Sequence, residues 1–252
     1  MRSCGRLLLA LVATLLPAGA GASGPTIRIA TEGAYPPFNY VEKDEPAGFE
    51  VDLGRALCAA MEASCTFVLQ DWEGMVSGLK EGRYDAVMSS LEITPERRRR
   101  VAFTRRYYRI PAALIGPAGG APLVPGSEPT LAGKSVGAVA DSEFASYLDS
   151  VPGVEVRTFG KLDEANLDLL TGRLDFVLGD RLAIETFLAS REGSRCCRFV
   201  AELPVDRGEG FGVAVRPRDG ELLARFDAAI VRVGADGTFD RVRAKYFTFD
   251  IR

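Results

Sequence analysis

Short apolar runs and amphipathic runs take turns along this chain, and that alternation restricts the fold more than any other feature. IRIAT (27–31), CTFVLQ (65–70) and YDAVMSS (84–90) have the length and residue content of strands. Between the first two, GFEVDLGRALCAAMEA places Phe49, Leu53, Leu57, Ala60 and Met61 on one helical face. Asp71 stands where it would cap a second helix, with Trp72, Met75, Val76 and Leu79 on one side. GAYPPFNY reads as a loop, from its glycine and two prolines. SVGAVA, VEVRTF and DFVLGD continue as strands, and SEFASYLDS, KLDEANLDLL and RLAIETFLAS as helices. FGVAVRP is a late strand, followed by two amphipathic helices, ELLARFDAAIVRV and TFDRVRAKYF. Parallel strands need a crossover long enough to hold a helix, so this order predicts an α/β fold with mostly parallel sheets.

One internal echo stands out. GRYDAV (82–87) and GRLDFV (172–177) share Gly-Arg-x-Asp-x-Val, each after a helix and at the start of a strand. The first strand runs out into Ser89 and Ser90, the second into Gly179 and Asp180. Ligands of open α/β sheets sit beyond the carboxyl ends of strands. The two ends read either as facing walls of one cleft or as two ordinary turns that rhyme. The segment GPAGGAPLVPGSEPT (116–130) interrupts the pattern and reads as a boundary or surface loop.

With 252 residues, 47% of them hydrophobic, the chain can bury a sizeable core. Its net charge of -3 argues against a nucleic-acid partner. It has no histidine, which removes Ser-His-Asp and Cys-His chemistry. No metal-ligand cluster or phosphate loop is evident, and no cofactor is expected.

Residues 1–22 have the layout of a secretory signal peptide: Arg2 and Arg6, an apolar run from Leu7 to Leu16, then Ala-x-Ala patterns ending at Ala20 and Ala22. That run is too short to span a bilayer. Four cysteines follow, and export permits disulfides. Cys58 and Cys65 could close a small loop at a helix end, while the adjacent Cys196 and Cys197 could pair, cross-link chains or stay reduced.

SSLEITPERRRR (89–100) holds four consecutive arginines. Thr94-Pro95 is the signature of an N-cap followed by proline at the first helical position. Such a run is a nucleic-acid patch, a solvated helix turn, or one working arginine among idle neighbours. The acidic balance disfavours the first.

ATEGAYPPFNY, GFEVDLGRALC, DAVMSSLEITPER, GRLDFVLGD and DGTFDRVRAKYF, in this order, resemble the solute-binding proteins of polar amino-acid ABC importers, the family-3 periplasmic binding proteins. GFEVDL matches the family signature, and the likeness covers essentially the whole chain after the leader. It implies a type II two-lobed fold, each lobe a sheet flanked by helices, joined by a two-strand hinge. Lobe 1 would comprise 26–112 and 214–252, and lobe 2 residues 113–213. The hinge would pass near Ala112–Leu114 and Gly212–Val213. Cys58 and Cys65 look like the disulfide pair of the lysine/arginine/ornithine, histidine and arginine binders.

The resemblance also implies a ligand set. Arg97 sits where the family clamps the ligand carboxylate, a task that suits a bidentate guanidinium. Asp180 sits where the α-amino group is bound, and it also reads as a helix N-cap. Tyr35 and Trp72 resemble the aromatics that sandwich the ligand stem, although Trp72 could equally share a core face with Met75, Val76 and Leu79. Ser89 and Ser90 could offer donors. Glu32 matches a position that reads the ligand side chain, and Glu92 replaces a small polar residue or aspartate. Two carboxylates near one pocket favour a cationic ligand: arginine first, then lysine or ornithine, with an opine also fitting. There is one departure. Where relatives carry Gly-Ser/Thr-Thr, this chain has Asp141, Ser142 and Glu143. Ser142 keeps the residue type, but the two acids lie close to the expected carboxylate.

The expected protein is therefore a non-catalytic, periplasmic, monomeric amino-acid binder that serves a membrane permease. The competing class is an enzyme on the same scaffold, such as a cyclohexadienyl dehydratase, with Glu92 or Glu143 as its acid. A receptor sensor domain is a third class, disfavoured because no membrane span precedes Arg252.

Overall fold

The structure is a computed structural model that describes residues 26–120 and 130–252. The leader at 1–22 and most of the Gly/Pro-rich segment lie outside the described residues.

Two five-stranded sheets carry the fold. The first runs in the order Ser64–Leu69, Thr26–Thr31, Ala86–Val87, Phe211–Val215, Ala102–Tyr108. The second runs Glu155–Phe159, Ser135–Val139, Phe176–Asp180, Ala112–Pro117, Cys197–Leu203. Within each sheet the first three strands are mutually parallel, and the last two pair antiparallel. The antiparallel strands are the ones that pass between sheets. The chain leaves the first sheet by Ala102–Tyr108 and enters the second at Ala112–Pro117. It leaves again by Cys197–Leu203 and returns at Phe211–Val215.

The crossings are therefore residues 109–111 and 204–210, a little before the positions expected from sequence. Ala112, Ala113 and Leu114 already pair with Asp180, Gly179 and Leu178 inside the second sheet. Gly212 and Val213 lie inside the returning strand. Small apolar residues suit a buried strand interior as well as a hinge, so their size alone did not mark the crossing.

The echo has a structural cause. Gly82 and Gly172 follow their helices at φ 80° and 73°, a left-handed turn that glycine adopts without penalty. Three residues later, Asp85 accepts the backbone N–H of Arg28 at 3.0 Å, and Asp175 that of Ser135 at 2.9 Å. Each aspartate ties the third strand of its sheet to the second. Both lobes are built on one repeated unit, and both strand ends point to the space between the sheets.

Two local readings change. GAYPPFNY is not all loop: Ala34–Tyr35, Asn39–Glu42 and Glu45–Ala47 form a small antiparallel sheet, with the two prolines in its first turn. The Asp71 helix divides into a 3-10 turn, Trp72–Gly74, and an α-helix, Met75–Glu81. Asp71 precedes the turn without a side-chain capping bond. The change of pitch rotates Trp72 away from Met75 and Leu79. They are buried, whereas Trp72 is 40% exposed.

The first core carries an aromatic stack into the cleft. Tyr35 stacks on Phe38 at 5.1 Å between ring centres, Phe38 on Tyr108 at 4.9 Å, and Tyr108 on Phe211 at 4.5 Å. Phe38 and Tyr108 are fully buried, so the two outer rings are held from within.

Candidate functional site

Five of the residues expected from sequence line one cavity of about 300 Å³: Glu32, Tyr35, Trp72, Ser89 and Ser90. Phe211 completes it. Glu32 leaves the end of the strand Thr26–Thr31 and is anchored by its backbone N–H, which donates to Ser89 Oγ at 2.9 Å. Glu32 is the acid of a cavity otherwise walled by rings and serines.

Ser90 has a positive φ of 49°. The reason is Glu50, the acid of GFEVDL, which is fully buried beneath it. Ser90 N donates to Glu50 Oε1 at 2.7 Å, and Ser90 Oγ to Oε2 at 3.1 Å. Asn39 Nδ2 and the Tyr107 hydroxyl also donate to this carboxylate. Burial pushes the Glu50 carboxyl up, against the pull of its four donors. Ser90 thus spends both donors inside the protein, contrary to the expectation that it offers them to a ligand. Glu50 was visible only as part of a signature, and its role as the floor of the site was missed.

Arg97 sits in the short helix Pro95–Arg98. Thr94 caps it as predicted, accepting Arg97 N at 3.2 Å. The Arg97 guanidinium lies 5.5 Å from the Trp72 ring centre and donates to the Glu92 carbonyl at 3.0 Å. It also stands 4.0 Å from the Glu92 carboxylate. Arg98 is not idle: it pairs with Glu209 on the return crossing.

Glu92 does not join Glu32. It lines a second cavity of about 440 Å³, beside the crossings, with Arg106, Arg109, Glu143, Asp206 and Arg207 among its walls. The two cavities meet at Phe211. The mutual repulsion expected of Glu32 and Glu92 is replaced by contact of Glu92 with Arg97.

The second lobe supplies Asp180 and Ser142. Asp180 caps the helix Arg181–Ala189, its Oδ1 accepting Leu182 N at 2.8 Å and Ala183 N at 3.3 Å. Ser142 caps Glu143–Ser150, accepting Ala145 N at 3.2 Å. Arg207, on the return crossing and unremarked in the sequence, joins this wall. Its Nη1 donates to Asp180 Oδ2 at 2.9 Å, and its Nε to Glu143 Oε1 at 2.9 Å. The charge of Glu143 is thereby answered, which removes the main objection to an acid there. Asp141 is an exposed turn residue with φ 55°. Arg97 and Asp180 therefore each have an internal partner already, rather than waiting unpaired for a ligand. Tyr35 faces this wall. Burial raises its phenol, Asp180 adds to the rise, and Arg207 opposes it.

Disulfides join Cys58 to Cys65, with Cα atoms 6.1 Å apart, and Cys196 to Cys197. Among the described residues no His/Cys/Asp/Glu group is placed to hold a metal. No helix among them is long and apolar enough to cross a membrane.

Similar proteins carry the same frame. An L-arginine-binding protein of Pseudomonas aeruginosa is 38% identical, over 97% of this chain and 96% of its own. The lysine/arginine/ornithine-binding periplasmic protein of Escherichia coli is 34% identical, over 90% of this chain and 89% of its own. Among solved structures, the L-cystine solute receptor of Neisseria gonorrhoeae in its unliganded open conformation superposes with a TM-score of 0.76 at 25% identity, covering 92% of this chain and 96% of the receptor. An ancestral arginine-binding protein bound to arginine gives 0.52 at 29% identity, covering 88% and 98%. The family model for bacterial extracellular solute-binding proteins, family 3, matches residues 27–249, and the chain belongs to that family.

Proposed function

We propose that this protein captures a cationic amino acid, arginine first and lysine or ornithine next, between its two lobes. The observation that carries the reading is the cavity of Glu32, Tyr35, Trp72, Ser89 and Ser90, which pairs aromatic walls with one acid. An aliphatic stem gains from burial between rings, and its terminal cation from both the ring faces and the carboxylate. Arg97, stacked near Trp72, takes the ligand carboxylate. Asp180, on the opposite lobe, takes the α-ammonium. Ser142 adds the N-terminal turn of its helix. One ligand then bonds both lobes at once, so closure follows binding.

A periplasmic location behind the expected signal peptide, a monomeric state and delivery to an ABC permease complete the reading. Two similar proteins support it, one an L-arginine-binding protein and the other a lysine/arginine/ornithine-binding periplasmic protein. We assign no catalytic role. Glu92 and Glu143, the acids an enzyme on this scaffold would use, each lie against an arginine. A thermal-shift screen of the amino acids, ornithine and opines tests the assignment, because a bound ligand raises the melting temperature by mass action. Arginine gives the largest rise. Calorimetry showing tight binding of glutamine or glutamate and none of arginine sinks it.

A further inference from the structure

We propose that Arg207 is an internal cation that competes with the ligand's α-ammonium for Asp180, and so sets how strongly the cleft prefers α-amino ligands. The inference rests on the reading of Asp180 as the ammonium site.

Asp180 has two carboxylate oxygens with different duties. Oδ1 is committed to the helix N-terminus through Leu182 N and Ala183 N. Oδ2 is the oxygen left for a ligand, and Arg207 Nη1 holds it at 2.9 Å. The same nitrogen donates to Ile110 O at 2.7 Å, on the outgoing crossing. The guanidinium is also fixed by Glu143 and lies 5.0 Å from the Phe144 ring centre. It is held from several sides, and its side chain is only 25% exposed.

An ammonium arriving at Oδ2 meets one of two situations. It displaces Arg207, which then keeps Glu143 as its partner, or it shares Oδ2 with a like charge a few ångströms away. Both lower affinity for an α-ammonium. Neither penalises a ligand that lacks that group. Its carboxylate gains from the added positive charge. Arg207 is thus a specificity residue acting through Asp180, with Glu143 dividing its attention.

The test compares arginine with its des-amino analogue, 5-guanidinopentanoate, by calorimetry on the wild-type protein and on Arg207→Gln. In the variant, preference for arginine over the analogue rises by about three- to tenfold, the size of one partly exposed charge contact. In an Asp180→Asn background, Arg207→Gln raises the preference less, because the competition for Oδ2 is gone and only direct repulsion of the ammonium remains. Glu143→Gln frees Arg207 for Asp180 and lowers the preference, an opposite sign that remains readable should Arg207→Gln fold poorly. If Arg207→Gln shifts both ligands in parallel, Arg207 is only a strut between the crossings, and the proposal is wrong. Failure of the wild-type protein to bind arginine overturns the functional reading, and this one with it.

Discussion

The Arg97 guanidinium lies 5.5 Å from the centre of the Trp72 ring, and that ring lines the same cavity as Glu32. Trp72 is the chain's single tryptophan and is 40% exposed. Any ligand gripped by Arg97 must change the surroundings of that ring, so intrinsic fluorescence reports occupancy directly. Arginine is expected to shift the emission, and Arg97→Ala to weaken its binding by at least about a hundredfold, the cost of an unanswered carboxylate. Arg97→Lys recovers only part, because an ammonium cannot bond bidentately. Unchanged titration curves in Arg97→Ala remove the carboxylate clamp.

Glu32 is the acid of the aromatic cavity, whereas Glu92 faces the crossings. Glu32→Gln is therefore expected to weaken arginine about tenfold or more, from the loss of a charged hydrogen bond. It should leave affinity for glutamine little changed. Glu92→Gln should discriminate between them far less. Equal effects of the two substitutions, measured by calorimetry, would return Glu92 to the ligand side chain.

Glu50 connects the fold to the site. It is fully buried and receives Ser90, Asn39 and Tyr107. Asn39 also accepts Gly33 N through its oxygen, so its amide nitrogen must face Glu50. A glutamine there would set NH2 against NH2, or lose the Ser90 N bond. Glu50→Gln is expected to cost about 2–3 kcal/mol in chemical denaturation. Because burial raises the Glu50 carboxyl above its ordinary 4.5, its contribution is full below that value and is lost as pH rises through the folded one. The variant should flatten that slope.

Sequence pattern made most strands and helices legible; the family resemblance singled out Glu32, Tyr35 and Trp72, a strand end singled out Ser89 and Ser90, and all five line one cavity. These residues lie at strand ends or helix starts, where local pattern and position coincide. What escaped was long-range. Arg207 lies on an irregular crossing with no periodicity to read, and its partners Glu143 and Asp180 are 64 and 27 residues away. Glu92 is expected beside Glu32 from its place in the family's pattern. The bridge it makes to Phe211 instead turns it toward the crossings.

The two disulfides differ in what they constrain. Cys58–Cys65 closes a loop between the end of helix Phe49–Ala60 and strand Ser64–Leu69. Chain entropy assigns such a loop about 2–3 kcal/mol. Replacing both cysteines by serine should lower the melting temperature by several degrees. Cys196–Cys197 spans adjacent residues and closes no loop of consequence, so the matching double substitution should shift it much less. Comparable shifts would show that the vicinal pair supports packing rather than chain entropy.

The repeated aspartates make a paired prediction about acid. Asp85 accepts Arg28 N at 3.0 Å, Arg28 Nη2 at 3.0 Å and Arg216 Nη2 at 3.3 Å. Asp175 accepts Ser135 N at 2.9 Å and Lys134 Nζ at 3.2 Å. Burial alone would raise the Asp85 carboxyl, but the Arg28 bonds outweigh it and hold the group below 3.8. At Asp175 the Ser135 N–H leads the same downward shift. A carboxyl lowered in the folded state contributes stability above its ordinary value, and that stability drains away as pH falls through the folded one. Asp85 is 24% exposed and Asp175 40%, so solvent screens the second more. At neutral pH, Asp85→Ala is expected to cost about 1–2 kcal/mol and Asp175→Ala under about 1 kcal/mol. Both variants should lose less stability than wild type between pH 5 and pH 2 (approximately the range in which carboxylates titrate), as followed by denaturation at each pH. Steeper acid loss in Asp85→Ala would mean that Asp85 is already protonated in the folded protein, and the tie between the strands would then be the Arg28 backbone alone.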